Sequence, residues 1–332
     1  MQRSDSMLTK VAENIYRKTV PLPNNPLRDM NAYIIMGEKN LLIDTGFNRL
    51  ECEEALQDAF RELGIKEADL FITHFHSDHC GLIGKFAKEN SIVYAGETEG
   101  ELINFETGNL YWRMLDTLFI KYGFPKANFG RNTDIHPGRK YCHEERIDFT
   151  FVEEGDILRY GGYALKAIET PGHTPGHMCL YDAQKKILFC GDHILGTITP
   201  NISIELNAEN PLQEYLESLE KAEKLDVELL LTAHGTPVED MYERIKELKH
   251  HHEERLLEVQ HILKDEWKTA YEVARDMTWE IDYRNWEEFP LPQKWFATGE
   301  SISHLQYLYY SGKISKEEKN GVYYYRNLNA TR

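Results

Sequence analysis

Five short apolar runs in this chain each lead into a histidine or an aspartate beside a glycine or proline, or into a cluster of imidazoles. That recurrence restricts the folds open to it. Leu41-Leu42-Ile43 precedes Asp44-Thr45-Gly46, and Leu70-Phe71-Ile72 precedes Thr73-His74-Phe75-His76-Ser77-Asp78-His79. The run through Ile168 precedes Thr170-Pro171-Gly172-His173, Ile187-Leu188-Phe189 precedes Cys190-Gly191-Asp192, and Leu230-Leu231 precedes Thr232-Ala233-His234-Gly235. Apolar runs of this length read as buried strands. Strands that each deliver a ligand-type side chain at a turn belong to sheets whose ends converge on one site. The densest of these turns packs three imidazoles and a carboxylate into six residues, ligands that suit zinc, iron or manganese.

Between these runs the chain alternates strand and helix, the signature of an α/β fold. Strands are expected over 7–20 and 31–46. A helix is expected over 50–63, where Leu50, Ala55, Leu56, Phe60 and Leu63 recur near helical spacing. Another helix follows the histidine cluster over 80–89, and Ser91 to Ala95 reads as a strand. Residues 149–192 read as β, with a helix over 211–223 before the strand into His234. Residues 97–147 interrupt the alternation with one or two apolar helices and a loop holding Pro125, Gly130, Pro137 and Gly138. An insert at this point in the ligand order is expected to form a lid or wall of the substrate pocket. Its segment from His136 to Arg146 is locally basic and could meet an anionic substrate group.

From residue 241 the pattern becomes mainly helical: a long helix over 238–264, a second over 269–277, a third from Pro292 to Tyr310, and a hairpin from Gly312 to Tyr325. His250-His251-His252 is expected to be a solvated patch, since consecutive helical residues point in different directions. The aromatic residues Trp295, Phe296, Tyr307, Tyr309 and Tyr310 make a homodimer through this region plausible.

The chain has 332 residues and a net charge of −17, which disfavours non-specific nucleic-acid binding without excluding a local basic groove; the expected partner is a small-molecule substrate. No run is long enough to cross a bilayer. Five scattered cysteines without a CxxC, and an N-terminal Met1-Gln2-Arg3-Ser4-Asp5-Ser6 without an apolar segment, point to the cytoplasm.

The ordered motifs between residues 5 and 240 resemble the metallo-β-lactamase superfamily. The resemblance implies an αββα sandwich with a catalytic domain over 1–240 and an appended region over 241–332. It implies two metal ions, zinc with iron or manganese as alternatives: one on His74, His76 and His173, the other on Asp78, His79 and His234. Asp192 would bridge them, and Asp44 would orient a ligand imidazole through its other nitrogen. An acid at 192 departs from the antibiotic-hydrolysing members and is similar to glyoxalase II and related hydrolases. The nucleophile implied is a hydroxide shared by the metals, with Asp78 and Asp192 as the catalytic carboxylates. His136, His143, His177 and His193 are expected near the substrate pocket. The implied activity is hydrolysis of a thioester or ester. The tail resembles the winged-helix-like tail of some members, including a branch with endoribonuclease activity, so phosphodiester cleavage is the alternative. A non-catalytic small-molecule sensor is a third reading.

Overall fold

The computed structural model describes residues 7–128, 130, 136–206, 208–280 and 283–328. The N-terminal segment Met1 to Ser6 lies outside them. Two sheets face each other. The first runs β1(Leu8–Ala12), β2(Ile15–Pro21), β3(Asp29–Ile35), β4(Leu41–Ile43), β5(Asp69–Phe71), β6(Val93–Gly96) and β7(Thr150–Val152), in that spatial order. The second, in spatial order, is β12(Leu229–Thr232), β11(Ile187–Gly191), β10(Met178–Asp182), β9(Tyr163–Glu169) and β8(Ile157–Tyr160). Side chains alternate across each strand. Ile35, Leu41, Ile43 and Phe71 therefore meet Leu165, Leu180, Phe189 and Leu231 between the sheets. Ile34, Leu42 and Leu70 turn outward to a second core beneath the helices.

Helices cover both outer faces, completing the αββα sandwich. α1(Leu50–Leu63) buries Cys52, Ala55, Leu56, Ala59 and Phe60 and ends at Gly64, whose φ of 69° is the left-handed cap. The helix expected over 80–89 is instead two single turns, α2(Ser77–Cys80) and α3(Ile83–Phe86). Gly81 keeps helical backbone angles and donates to the Ser77 carbonyl, and the break falls at Leu82, at φ −103° and ψ 13°. At Gly81 a Cβ would lie 2.6 Å from the Asn48 nitrogen and the Tyr141 carbonyl, so only glycine fits where these chains cross. The expected strand over 7–20 is likewise divided, by a turn in which Asn14 has a φ of 59°.

The insert forms α4(Glu97–Glu106), α5(Asn109–Lys121) and the short α6(Pro137–Tyr141). Residues 131–135 of its loop lie outside the described residues. α7(Pro211–Glu223) leads into β12, and α8(Met241–Leu263) starts at Asp240, whose carboxylate accepts from the Tyr242 and Glu243 N–H groups. The chain then forms α9(Ala270–Asp276), entered through a Thr269–Glu272 capping box, α10(Leu291–Tyr310), and the hairpin β13(Ile314–Lys319)–β14(Val322–Asn327). Among the described residues no helix is long and apolar enough to cross a membrane.

The C-terminal region packs on the insert. Trp295 of α10, read from the sequence as part of an exposed aromatic surface, is buried and stacks on Phe119 of α5 at 3.6 Å and 8°. Phe124 lies edge-on to Tyr271 and Trp295, and Gln306 donates to the Tyr122 hydroxyl at 2.8 Å. Tyr309 and Tyr310 remain exposed. The insert is thereby braced from behind rather than hung as a flap.

His252 corrects a second expectation. Only His250 of the triplet is solvated, within reach of Glu253 and Glu254. His252 is buried, its Nδ1 3.2 Å from His304 Nε2, while His304 Nδ1 lies 2.7 Å from the Glu300 carbonyl. The carbonyl only accepts, so His304 donates from Nδ1 and accepts at Nε2, and both rings are neutral. Burial pushes the pKa of His304 down to about 3 and that of His252 well below its ordinary value. Unfolded histidine titrates at ~6.5. Below that pH the unfolded chain binds more protons, so stability present above it is lost as pH falls, by up to ~1.4 kcal/mol per pH unit per histidine. Urea unfolding between pH 7 and 5 is expected to show a shallower loss in a His252→Leu, His304→Leu double variant than in the wild type. Equal slopes would mean the pair is not held neutral by the fold.

Candidate metal centre

The five ligand-bearing turns meet at one edge of the sandwich. β4 pairs in parallel with β5 and β11 with β12, so within each pair the strand ends point the same way. Asp44, just past β4, takes a φ of 59°, a left-handed conformation that aspartate adopts more readily than most residues. Its carboxylate accepts from the Thr73 N–H and hydroxyl and from His79 Nδ1–H, each at 2.9 Å. With its own proton given to Asp44, the Thr73 hydroxyl accepts from His74 Nδ1–H at 2.9 Å. His173 Nδ1 lies 2.9 Å from the Asn201 carbonyl and His234 Nδ1 3.0 Å from the Asp29 carbonyl. These outer oxygens act as acceptors, so all four imidazoles donate outward from Nδ1. Each turns Nε2 inward, the nitrogen left to hold an ion.

The inward atoms crowd together. His79 and His234 bring their Nε2 atoms to 3.3 Å, and His76 Nδ1 lies 3.2 Å from His74 Nε2 and 3.0 Å from His173 Nε2. Nitrogens this close need a proton or a cation between them, and His76 Nδ1, facing two nitrogens, can share a proton with only one. Asp192 stands in the middle. Its Oδ1 is 3.5 Å from both His79 Nε2 and His234 Nε2, and its Oδ2 is 3.6 Å from His173 Nε2. Asp78 Oδ2 lies 3.5 Å from His234 Nε2. Asp192 Oδ1 is buried without a hydrogen-bond donor, a costly state in the absence of a positive charge. The groups His74–His76–His173, His74–His79–Asp192 and Asp78–His79–His234 each gather their ligand atoms within 4.8 Å. Bare imidazole nitrogens and an orphaned carboxylate oxygen are the donor set that divalent cations need.

The local field agrees. Burial works against charge on His79, but Asp192, Asp44 and Asp78 outweigh it and lift its pKa to about 10. Those carboxylates will stabilise a cation at this spot. Asp44 sets the orientation of two of the imidazoles, so Asp44→Ala is expected to weaken metal affinity by about 10–100-fold. A competition titration against a chelator, with circular dichroism to confirm folding, checks this; unchanged affinity would show that Asp44 has no part in holding the site.

Glycine is needed where the turns pass through the core. Gly172, at a φ of 135°, lies against the backbone of Tyr215 with no space for a Cβ. At Gly191, with φ 48°, a Cβ would sit 2.7 Å from His177 Nε2 and force Asp192 out of line.

The four histidines expected around a pocket divide. His136 borders the site: it lies close enough to His76 to act on its charge. It caps α6 by accepting from the Gly138 N–H, and sits in an aromatic box with Trp112 at 5.1 Å and Phe296 at 5.2 Å. Burial holds its pKa down, at about 4. His177 is buried behind the ligands; Nδ1 meets the Thr170 hydroxyl at 2.8 Å and Nε2 accepts the Asp192 N–H at 3.2 Å. It thus fixes the Asp192 turn and does not line a cavity. His193 is also fully buried, edge-on to Tyr215 at 5.5 Å; the turn after β11, in which its N–H donates to the Cys190 carbonyl at 2.9 Å, carries it away from the ligands. His143 is 2% exposed and lies with Cys80 and Glu106, away from the mouth. Of the basic segment, Arg139 reaches Asn109 and Lys140 lies over the Tyr141 ring.

One residue escaped the sequence reading. Glu99, fully buried near the start of α4, accepts from the Phe75 N–H through Oε2 and from the Gly176 N–H through Oε1, both at 2.6 Å. It clamps the turn of His74 and His76 to the turn of His173. Burial raises its pKa to about 7 against these two donors. Its code, a glutamate at a helix start, is too common to mark it. Glu99→Gln turns one acceptor into a donor facing a buried N–H and is expected to cost about 1–3 kcal/mol. Thermal unfolding reads this, and an unaltered melting temperature would show that the two turns hold without the clamp. The C-terminal region reaches the same edge: Asn201, whose carbonyl holds His173, donates to Glu300 of α10 at 3.1 Å.

The comparisons accord with this geometry. Residues 26–234 match the family described as Metallo-beta-lactamase superfamily, and residues 256–328 match Metallo-beta-lactamase-like, C-terminal domain. A probable metallo-hydrolase of Bacillus subtilis (strain 168) is 25% identical over 80% of this chain and 85% of its own length. An atrochrysone carboxyl ACP thioesterase of Aspergillus fumigatus is 24% identical over 67% of this chain and 55% of its own. The crystal structure of a metallo-beta-lactamase family protein from Thermus thermophilus superposes with a TM-score of 0.80 at 27% identity, covering 96% of this chain and all of that one. With strand-end imidazoles and carboxylates gathered at one edge of an αββα sandwich, and with both parts of the chain matched, this protein belongs to the metallo-beta-lactamase superfamily of hydrolases.

Proposed function

We propose that the protein is a two-metal hydrolase of a small thioester or ester, with a ligand set like that of glyoxalase II. The observation that carries this is Asp192, which offers one carboxylate oxygen to the His79–His234 side and the other to His173. His74, His76 and His173 would hold one ion, and Asp78, His79 and His234 the other. When bound, two divalent ions of the zinc class supply Lewis-acid polarisation of the scissile carbonyl and acidify water.

The chain's own residues do the rest. Asp44 and Thr73 lock the tautomers of His79 and His74, His177 holds the Asp192 turn, and Glu99 ties the two histidine turns together. On this reading the acyl group rests against the aromatic wall of His136, Trp112 and Phe296 beside His76. A thioester is favoured because a thiolate departs without a proton. The A. fumigatus relative's description as a thioesterase supports the same class. Residues 1–240 act as the catalytic unit, and 241–332 as a winged-helix-like appendage that braces the insert. The phosphodiester alternative has less support: the hairpin lysines are turned onto rings, Lys316 over Tyr323 at 4.0 Å and Lys319 over Trp267 at 5.2 Å.

The test is a substrate panel with zinc-, iron- and manganese-loaded protein. It holds an acyl-CoA, S-lactoylglutathione, a small aryl ester, an aryl phosphodiester and single-stranded RNA. Turnover of a thioester or ester, abolished by chelation and restored by metal, is the expected result. Cleavage confined to the phosphodiester or RNA, or no turnover at all, would overturn the reading.

A further inference from the structure

At the end of α2, next to His79, a second group of ligand-type side chains is fully enclosed. Cys80, Glu106 and His143 are 0%, 1% and 2% exposed. Their ligand atoms lie within 4.8 Å of one another, with Cys80 Sγ 3.7 Å from Glu106 Oε1. Both ring nitrogens of His143 are buried and have no hydrogen-bond partner. An imidazole with two orphaned nitrogens beside a thiol and a carboxyl is an expensive arrangement for a core. The Cys80 thiol has the Phe75 carbonyl at 3.0 Å as an acceptor, which it would give up as a thiolate, but nothing meets His143, and one bound ion would engage all three groups at once.

We propose that Cys80, Glu106 and His143 form a separate site for one divalent ion of the zinc class. A thiolate, a carboxylate and a neutral imidazole carry two negative charges together, so the loaded site is neutral inside the protein. Burial favours the protonated forms of both Cys80 and Glu106, so the thiol proton and the carboxyl proton both pass to water as the ion enters. Sulfur, nitrogen and oxygen around one ion is a zinc donor set, and three protein ligands leave one tetrahedral position for water. In such a site ligand atoms stand roughly 3.5 Å apart, so from separations of at most 4.8 Å the side chains need close in by little more than about an ångström. The site joins three segments far apart in sequence: α2, which carries Asp78 and His79; the C-terminal end of α4; and the chain just after α6. It acts as a staple between the insert and the turn that presents two of the strand-end residues. The inference stands apart from the proposed activity, since none of its three residues belongs to the strand-end set.

Cobalt separates the two sites spectroscopically. The strand-end residues offer only nitrogen and oxygen, whereas a cysteine ligand gives a thiolate-to-cobalt charge-transfer band in the near ultraviolet. The full chain is stripped with a chelator and titrated with Co(II), reading absorbance and bound equivalents. The expected result is a charge-transfer band in the wild type that disappears in Cys80→Ser and in His143→Ala and persists in Cys142→Ser. Each of the first two variants should bind one equivalent fewer. Visible d–d absorption with no charge-transfer band would overturn this site and leave the strand-end reading standing; no cobalt bound at all would sink both. A band that survives Cys80→Ser would also overturn it. Should the variants not fold, X-ray absorption of zinc-loaded wild type decides: a sulfur neighbour at about 2.3 Å is required, and a shell of nitrogen and oxygen alone refutes the proposal.

Discussion

Asp192→Ala is expected, on the two-metal hydrolase reading proposed above, to lower turnover by at least about 10²–10³-fold, the scale seen when one preorganised electrostatic group is removed from a catalytic site. On the same reading the change should reduce metal content at the strand-end centre from about two ions per chain. The reason lies in the position of the carboxylate. It faces His79 and His234 through one oxygen and His173 through the other. Removing it leaves three inward imidazoles without that negative counterpart, and mutual repulsion then opens the set. Asp192→Asn separates charge from shape: it keeps the volume and the turn held by His177 but gives up the bridging charge. Steady-state kinetics with elemental analysis of both variants decides the matter. Wild-type metal content and turnover in Asp192→Ala would rule out a bridging role.

Trp295→Ala is expected to destabilise the protein by about 3–5 kcal/mol, the usual cost of removing a large buried aromatic residue. The Phe119 stack contributes part of this, on the order of 1 kcal/mol. The consequence extends beyond stability. Trp295 joins α10 to α5, and the aromatic wall beside His76 is made of Trp112 of α5, His136 at the cap of α6 and Phe296 of α10 itself. A loosened insert should therefore raise KM more than it lowers kcat, because the inward imidazoles and Asp192 are held by other partners. Urea unfolding and kinetics on the same preparation test both parts. A loss below about 1 kcal/mol, at the level of an ordinary surface substitution, would show that the insert is held elsewhere.

The two variants probe different layers of the molecule, and those layers were unequally legible in the sequence. His74, His76, Asp78, His79, His173, Asp192 and His234 could be named because each follows an apolar run and stands at a turn. That local pattern survives folding, since a buried strand must end where its ligand begins. α1 was equally plain: a single apolar stripe over 50–63 specifies one helix and one buried face. The one-turn α2 was not. Its residues would suit a longer helix, and nothing local marks the departure from helical angles at Leu82.

What the sequence by itself determined is therefore the set of strand-end ligand candidates, the alternation that builds two sheets, and a helical region after residue 240. Those features depend on short-range periodicity and on residue chemistry. The tertiary structure alone decided which histidines face the cluster. His136 stays beside His76, His177 and His193 turn into the core, and His143 joins Cys80 and Glu106. It also decided that Glu99 would clamp two turns, that His252 would pair with His304, and that Trp295 would brace the insert instead of facing solvent. Each of these last contacts joins residues more than twenty positions apart. No local pattern encodes such a meeting, because it is the packing of whole elements that brings the two side chains together.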